Sequence, residues 1–522
     1  MERTRRTPKP AKARRGRIPA PAIAALLGLF ATALSAWLCW RVFEGIPHVS
    51  DGVSYAFQAR IFASGRLWLA PPPVPEVFEI GDVVLTADRW ASKYPPGFPL
   101  LLAVGYLLRV PWLVNPVLLG LAVFGVFRLG RTLYDEVTGL IAAGLLAISP
   151  FALILGASHL SHTSALCVSV YALEAFVSGR QTDRARPLLL AGLLAGVAFA
   201  IRPYTAAALL LPAGLWTLGG AGPRVAFRRA ALVVAGAALP LALHAGFNAA
   251  VFGHPLQTGY TLANPTERMT GIRGHYSSPL TLLRDHFPRY LVDLNRDPWA
   301  WPWPDLLPLL VLLRRKSRRS GDLLLAACSL SVVLAYSFFW FYELQHAGPR
   351  YAFETLGALS LLVARGLMSG AALLSETSLW LRAPYALKAS LFLALAGLLV
   401  YFPLGRRLPA MMTINSRAYY GQTLEPLRRP GAEKVGPDAL VLVAGTWPWA
   451  SYASFALLNE LDPRQGRRVY TLDVRARREE VLAAYPRQEV WKLFVDIAPR
   501  RSNERFAEPG CEVRRVIWNR VR

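Results

Sequence analysis

Gly45-Ile-Pro-His-Val-Ser-Asp-Gly-Val-Ser-Tyr55 opens the first long polar segment of the sequence, and Trp90-Ala-Ser-Lys-Tyr-Pro-Pro-Gly-Phe-Pro99 closes it. The segment carries an acid, Asp51, and a base, Lys93, each beside an apolar run. Ionisable groups at the edge of apolar runs of membrane-spanning length lie at the depth of lipid headgroups.

Upstream, Ile18–Trp40 is apolar and long enough to span a bilayer. Residues 1–17 are rich in Lys, Arg and Pro and read as a disordered basic cytoplasmic tail. Of 522 residues, 54% are hydrophobic and 17% charged. The net charge of +25 is gathered in short clusters between apolar runs, most clearly Arg314-Arg315-Lys316 and Arg318-Arg319. This is the positive-inside pattern of a membrane protein rather than a nucleic-acid surface, so membrane lipids and no nucleic acid are expected as partners. Three of the four cysteines lie in apolar runs, which speaks against a disulfide framework.

Downstream, the apolar runs predict an α-helical polytopic membrane protein of about eleven transmembrane helices over residues 18–404. Among the expected spans are Val137–Gly156, Trp303–Leu313 and Ala386–Leu404. Residues 41–93 and 250–302 become two long extracytoplasmic loops. Val53–Leu69 is expected as a surface helix stopped by Pro71-Pro72-Pro73, and Pro279–Leu294 as an amphipathic one. An odd span count places the C-terminus outside. Residues 405–522 read as a small extracytoplasmic α/β domain. Its expected strands are Ala439–Ala444, Arg468–Val474 and Val490–Ile497, and its expected helices Trp449–Glu460 and Ala476–Ala484.

Each polar candidate has a structural and a chemical reading. Asp51 is either the N-cap of a helix starting near Val53 or a general base or metal ligand. Lys93 is a snorkelling anchor or a point charge for a phosphate. His159 and His162, three apart, form a polar helix cap or two ligands lacking a third. Arg202, before Pro203 and on the side opposite the basic clusters, is a span-end arginine or a phosphate partner. Arg350, after Gly348-Pro349, either clamps a phosphate or pairs with Glu343 or Glu354. Tyr55, His275, Tyr276 and His346 are weaker candidates for sugar or acceptor contacts. Trp299, Trp301 and Trp303 first suggest an interfacial belt.

The acid followed by Tyr55, the run Ala59-x-x-x-x-Ser64-Gly-Arg-Leu67 and the run Lys93-Tyr-Pro-Pro-Gly-Phe-Pro-Leu-Leu-Leu102 together resemble the GT-C membrane glycosyltransferases. This superfamily includes the dolichyl-phosphate-mannose protein mannosyltransferases and the bacterial aminoarabinose transferase. The resemblance implies a GT-C fold and inverting transfer of a sugar from a polyprenyl-phosphate donor to an extracytoplasmic acceptor, in a bacterial inner membrane. It implies Asp51 as the base and Lys93 at the donor phosphate, and the Gly-Pro-Arg-Tyr turn at Arg350-Tyr351 resembles the equivalent loop of the superfamily; Tyr94, Arg202, Arg350 and Tyr351 are the further candidates around the donor phosphate. The sequence departs from the family where Gly52 follows the acid, and where the second outer loop reads Ser158-His-Leu-Ser-His162 instead of carrying a second acid. A divalent cation, Mg or Mn, is therefore left open as a cofactor. A transporter or flippase of polyprenyl-linked glycans and a non-catalytic envelope scaffold remain the alternatives. The first requires ionisable groups within spans and internal repeats; the second requires Asp51 to be dispensable.

Overall fold

A computed structural model of the chain describes residues 18–263, 267–268, 271–272, 278–314, 316–342, 348–415, 423–446, 448–499 and 511–522. From the N-terminus come α1 (Ala20–Phe43), α2 (Ser50–Ala63), a hairpin of β1 (Val83–Leu85) with β2 (Trp90–Ser92), and α3 (Gly97–Leu107). The bundle continues with α4 (Val114–Leu133), α5 (Glu136–Ile148), α6 (Pro150–Ala157), α7 (His162–Thr182), α8 (Ala185–Ile201), α9 (Pro203–Leu218) and α10 (Pro223–Phe252). The second long loop holds α11 (Gly259–Ala263), the two-residue strands β3 (Glu267–Arg268) and β4 (Gly271–Ile272), and α12 (Pro279–Leu294). Then follow α13 (Ser320–Ser337), α14 (Leu356–Ser375), α15 (Ser378–Arg382), α16 (Tyr385–Val400) and α17 (Leu408–Asn415).

Six helical segments among the described residues are long and apolar enough to cross a membrane, and α5 with α6 makes a seventh if the bent pair is one span. The protein is thus an integral membrane protein. The expected eleven also counted shorter helices such as α8 and α9. Trp303–Leu313 is not a helix of spanning length: it forms a seven-residue 3-10 turn, Leu307–Leu313. Pro304 and Pro308 interrupt the run, and about 14 Å of 3-10 helix falls well short of a ~30 Å hydrocarbon core. Val137–Gly156 is likewise broken, bending by 59° where Pro150 starts α6 and Ser149 caps it. The apolar helix beginning at Tyr385 runs past Leu404, through a π-helical turn, to Asn415.

Helices approach closely where glycine permits. A Cβ on Gly28 of α1 would lie 2.7 Å from the Gly120 carbonyl oxygen of α4, and one on Gly120 2.6 Å from that of Gly28. Such small-residue crossings let membrane helices gain dispersion contact without a hydrophobic driving force.

The C-terminal sheet is formed by β5 (Ala439–Gly445), β6 (Val469–Leu472), β7 (Glu489–Pro499) and β8 (Cys511–Arg520), in the order β6-β5-β7-β8. β5 runs parallel to β6 and β7, and β8 is antiparallel to β7. Helices α18 (Pro448–Ala456) and α19 (Arg478–Ala484) make the crossovers, as the alternation of elements predicted. This domain shares one hydrophobic core with the first loop: Val53, Phe57 and Ile61 of α2, with Phe78 and Trp90, pack among Tyr452, Phe455 and Tyr470. Arg60 of α2 donates to the carbonyls of Leu457 (2.8 Å) and Asn459 (2.7 Å).

Candidate active site

The first loop folds differently from the expected long surface helix, and the difference positions the site. α2 ends at Ala63, before the three prolines, because Ser64-Gly65 turns the chain with Gly65 at φ +75°. Leu69 can then pair with Trp90, closing the β1–β2 hairpin against α2.

At the start of α2 the N-cap is Val49, and no side chain caps the helix. Asp51 lies in the first helical turn and is not the cap. Its carboxylate accepts the Tyr94 hydroxyl at 2.6 Å and the Arg350 guanidinium at 3.0 Å. Burial acts to raise the Asp51 carboxyl, but the Arg350 charge, the Tyr94 hydroxyl and Lys93 outweigh it and hold it below the usual carboxylate value. The side chain remains 24% exposed, so a polar group arriving from solvent can reach it. A side chain at position 52 would press on Pro47, with its Cβ 3.1 Å from that ring, and would meet His159 next.

The hairpin register, Val83 opposite Ser92, puts Asp82 opposite Lys93. Lys93 Nζ lies 2.7 Å from Asp82 Oδ1. Lys93 Nζ is also 5.4 Å from the ring centres of both Tyr94 and Tyr260. The Lys93 backbone is so close to α11 that a Cβ on Gly259 would lie 2.4 Å from the Lys93 carbonyl oxygen.

Arg202 breaks α8 from α9 with non-helical φ and ψ, and Pro203 starts the next helix. It donates to Ser161 (3.2 Å) and Tyr336 (3.1 Å) and pairs with Glu354 at 3.1 Å. Glu354 is fully buried and also bonds His162 Nδ1 at 3.0 Å. Ser161 continues the network to the Tyr55 hydroxyl at 3.0 Å, and Tyr55 leans on Tyr94 with ring centres 4.4 Å apart. Arg350 also reaches the Tyr351 hydroxyl at 3.2 Å, and Tyr351 stacks on Tyr336.

Asp51, Tyr55, Lys93, Tyr94, Arg202, Arg350, Tyr351 and His162 therefore form one connected group. His159 is not part of it: buried and with Nδ1 unbonded, it is pushed down to about 4 by desolvation. His159 and His162 do not converge as ligands. His275, Tyr276 and His346 lie outside the described residues. Of the two acids expected for Arg350, Glu343 lies outside the described residues, and Glu354 feels the Arg350 charge but takes its close ion pair, at 3.1 Å, from Arg202; Arg350–Thr355 is a 3-10 turn, in which residues three apart align.

Asp82, Ser161 and Tyr260 were missed, and Glu354 was named only as a partner for Arg350. Gly81-Asp82 before Val83-Val84-Leu85 reads as a turn into a strand, and only that hairpin signal pointed to Asp82. Asp51 and Asp82 face each other and are each also matched to a cationic side chain, so a cation held between them would sit beside Lys93 and Arg350. Among the described residues no three His, Cys, Asp or Glu side chains gather as ligands.

The family described as dolichyl-phosphate-mannose-protein mannosyltransferase matches residues 93–249, beginning at Lys93. No curated protein matches the sequence significantly. Among solved structures, apo ArnT from Cupriavidus metallidurans aligns over 91% of this chain and 93% of its own, with 15% identity and a TM-score of 0.55. The chain has the GT-C fold. ArnT bound to undecaprenyl phosphate aligns over 96% and 98%, with 14% identity and a TM-score of 0.53. The archaeal oligosaccharyltransferase AglB from Archaeoglobus fulgidus, solved with an inhibitory peptide and a dolichol-phosphate, aligns over 91% of this chain and 69% of its own, at 13% identity and a TM-score of 0.52. Within this GT-C fold, α2, the hairpin and Arg350 supply the charged cluster.

Proposed function

We propose that the protein is a membrane glycosyltransferase that moves a sugar from a polyprenyl-phosphate donor to an acceptor hydroxyl of an envelope glycan, lipid or protein. The observation that carries this reading is the meeting of Asp51, Lys93 and Arg350 in one partly exposed cluster at the end of the helical bundle. The similarity to proteins solved with undecaprenyl phosphate and dolichol-phosphate supports the donor class. The basic clusters support an orientation with the site and the C-terminal domain facing outward from a bacterial inner membrane.

Asp51 accepts the proton of the acceptor hydroxyl, whose oxygen forms a bond to the anomeric carbon from the face opposite the leaving group. The bond from that carbon to the phosphate oxygen breaks, its electron pair stays on the phosphate, and the configuration inverts. Lys93 and Arg350 neutralise the charge that develops on the departing polyprenyl phosphate. Arg202, tied to the buried Glu354, holds Ser161, Tyr55 and Tyr336 behind them. Purified protein given a polyprenyl-phosphate sugar and an envelope extract as acceptor should release polyprenyl phosphate and label the acceptor. Vectorial movement of the donor across vesicles without cleavage would replace this reading with transport.

A further inference from the structure

We propose that Asp82 is an internal stand-in for the donor's phosphate: in the donor-free site its carboxylate occupies Lys93, and the arriving phosphate displaces it. The inference rests on the donor reading above. Asp82 and Lys93 face each other across the open end of the β1–β2 hairpin, with Nζ 2.7 Å from Oδ1. The Asp82 main chain is fixed independently of its side chain. Its carbonyl accepts the Lys93 amide at 3.0 Å and the Ser54 hydroxyl at 2.6 Å. The carboxylate can therefore leave Lys93 without disturbing the hairpin. Asp82 sits at φ +54° directly after Gly81 at φ +70°, a left-handed conformation that a residue other than glycine adopts at some cost. Such an outlier beside an ionisable group of the site is an observation from which a role can be argued.

Charge balance gives the same answer. The groups facing Asp82 are Lys93, Asp51 and Ser50; Asp51 in turn faces Arg350 and Tyr94, and the Tyr94 and Tyr260 rings flank Lys93. Two carboxylates balance two cations. A phosphate placed on Lys93 adds negative charge beside Asp82, and like charges a few ångströms apart exclude one another. Burial, then the nearby Asp51, already push the Asp82 carboxyl above its usual value despite Lys93. With its side chain 18% exposed, against 10% for Lys93, Asp82 has a route toward solvent when it lets go.

The test uses the full-length protein in detergent and undecaprenyl phosphate as the probe, with binding measured by titration calorimetry. Asp82→Asn keeps the left-handed backbone and both carbonyl bonds but removes the competing charge. Its dissociation constant should fall by about fivefold, the upper range for a partly exposed ion pair. Asp82→Gly, which suits the backbone without strain, should show the same gain and covers the case in which the asparagine variant folds poorly. Affinity for neutral undecaprenol should not change. Unchanged or weaker undecaprenyl phosphate binding in both variants overturns the proposal, as does an equal gain with undecaprenol. Lys93→Ala, run alongside, separates the two readings. If it binds undecaprenyl phosphate as tightly as the parent, the donor reading falls and this inference with it. If it binds more weakly while the Asp82 variants gain nothing, only this inference falls.

Discussion

Asp51–Arg350 and Glu354–Arg202 are two copies of one chemistry, a carboxylate held by an arginine at 3.0 Å and 3.1 Å. They differ in access. The Asp51 side chain keeps 24% of its exposure, whereas that of Glu354 keeps none. The Asp51 carboxylate can turn away from its arginine at modest cost, because water on its open side screens the charge. The Glu354 pair cannot open without leaving an uncompensated charge in an apolar bundle. Position, more than pairing geometry, divides the two acids into one open to solvent and one that holds the surrounding side chains in place.

The sharpest way to break this comparison is to neutralise each acid in turn and measure thermal stability in detergent. Glu354→Leu should cost about 3–5 kcal/mol, the scale for removing one partner of a buried pair, and His162 and Arg202 should both lose order. Asp51→Asn should cost less than about 1 kcal/mol; equal losses would erase the distinction. Next in size is Lys93. Lys93→Ala should weaken undecaprenyl phosphate binding by about tenfold, the scale of a lost charge-assisted contact. Lys93→Arg should recover part of it, since positive charge is what the phosphate needs.

A smaller effect is expected where the first loop meets the C-terminal domain. Arg60→Ala removes two donors to the carbonyls of Leu457 and Asn459 and should loosen the domain by about 1–2 kcal/mol. Faster limited proteolysis of residues 423–522 with the helical part intact would confirm it. The smallest concerns His159, held neutral in the fold down to about 4 against an ordinary 6.5. The unfolded chain takes up that proton first, so stability should be flat above pH 6.5 and fall as pH drops toward 4. The loss should be about 1 kcal/mol by pH 6. His159→Phe should flatten this slope.

Asp51 and Lys93 were legible because an acid and a base flanking apolar runs are rare enough to carry a reading alone, and the motif beginning at Lys93 added to it. Asp82 was not legible: its partner is set by hairpin register, and nothing in Gly81-Asp82 says which residue returns opposite it. Glu354 was seen only as a helical neighbour of Arg350, because the i+4 rule presumes an α-helix and the backbone there is 3-10. The same limit produced the expected span at Trp303–Leu313, where hydropathy registers the leucines but not the prolines between them. In the sheet domain the three parallel strands were read within a few residues. β8 was missed, its alternation blurred by the register shift opposite Asp496/Ile497.

The measurement that bears most directly on the site is glycosyl transfer by purified Asp51→Asn, with undecaprenyl phosphate affinity and thermal stability determined on the same preparation. Asparagine keeps the shape of Asp51 and can still accept from Tyr94 and Arg350, but it cannot take the acceptor's proton. The account predicts turnover about a hundredfold or more below the parent, with affinity and stability close to it. Parental turnover in Asp51→Asn would contradict the assignment of Asp51 as the base.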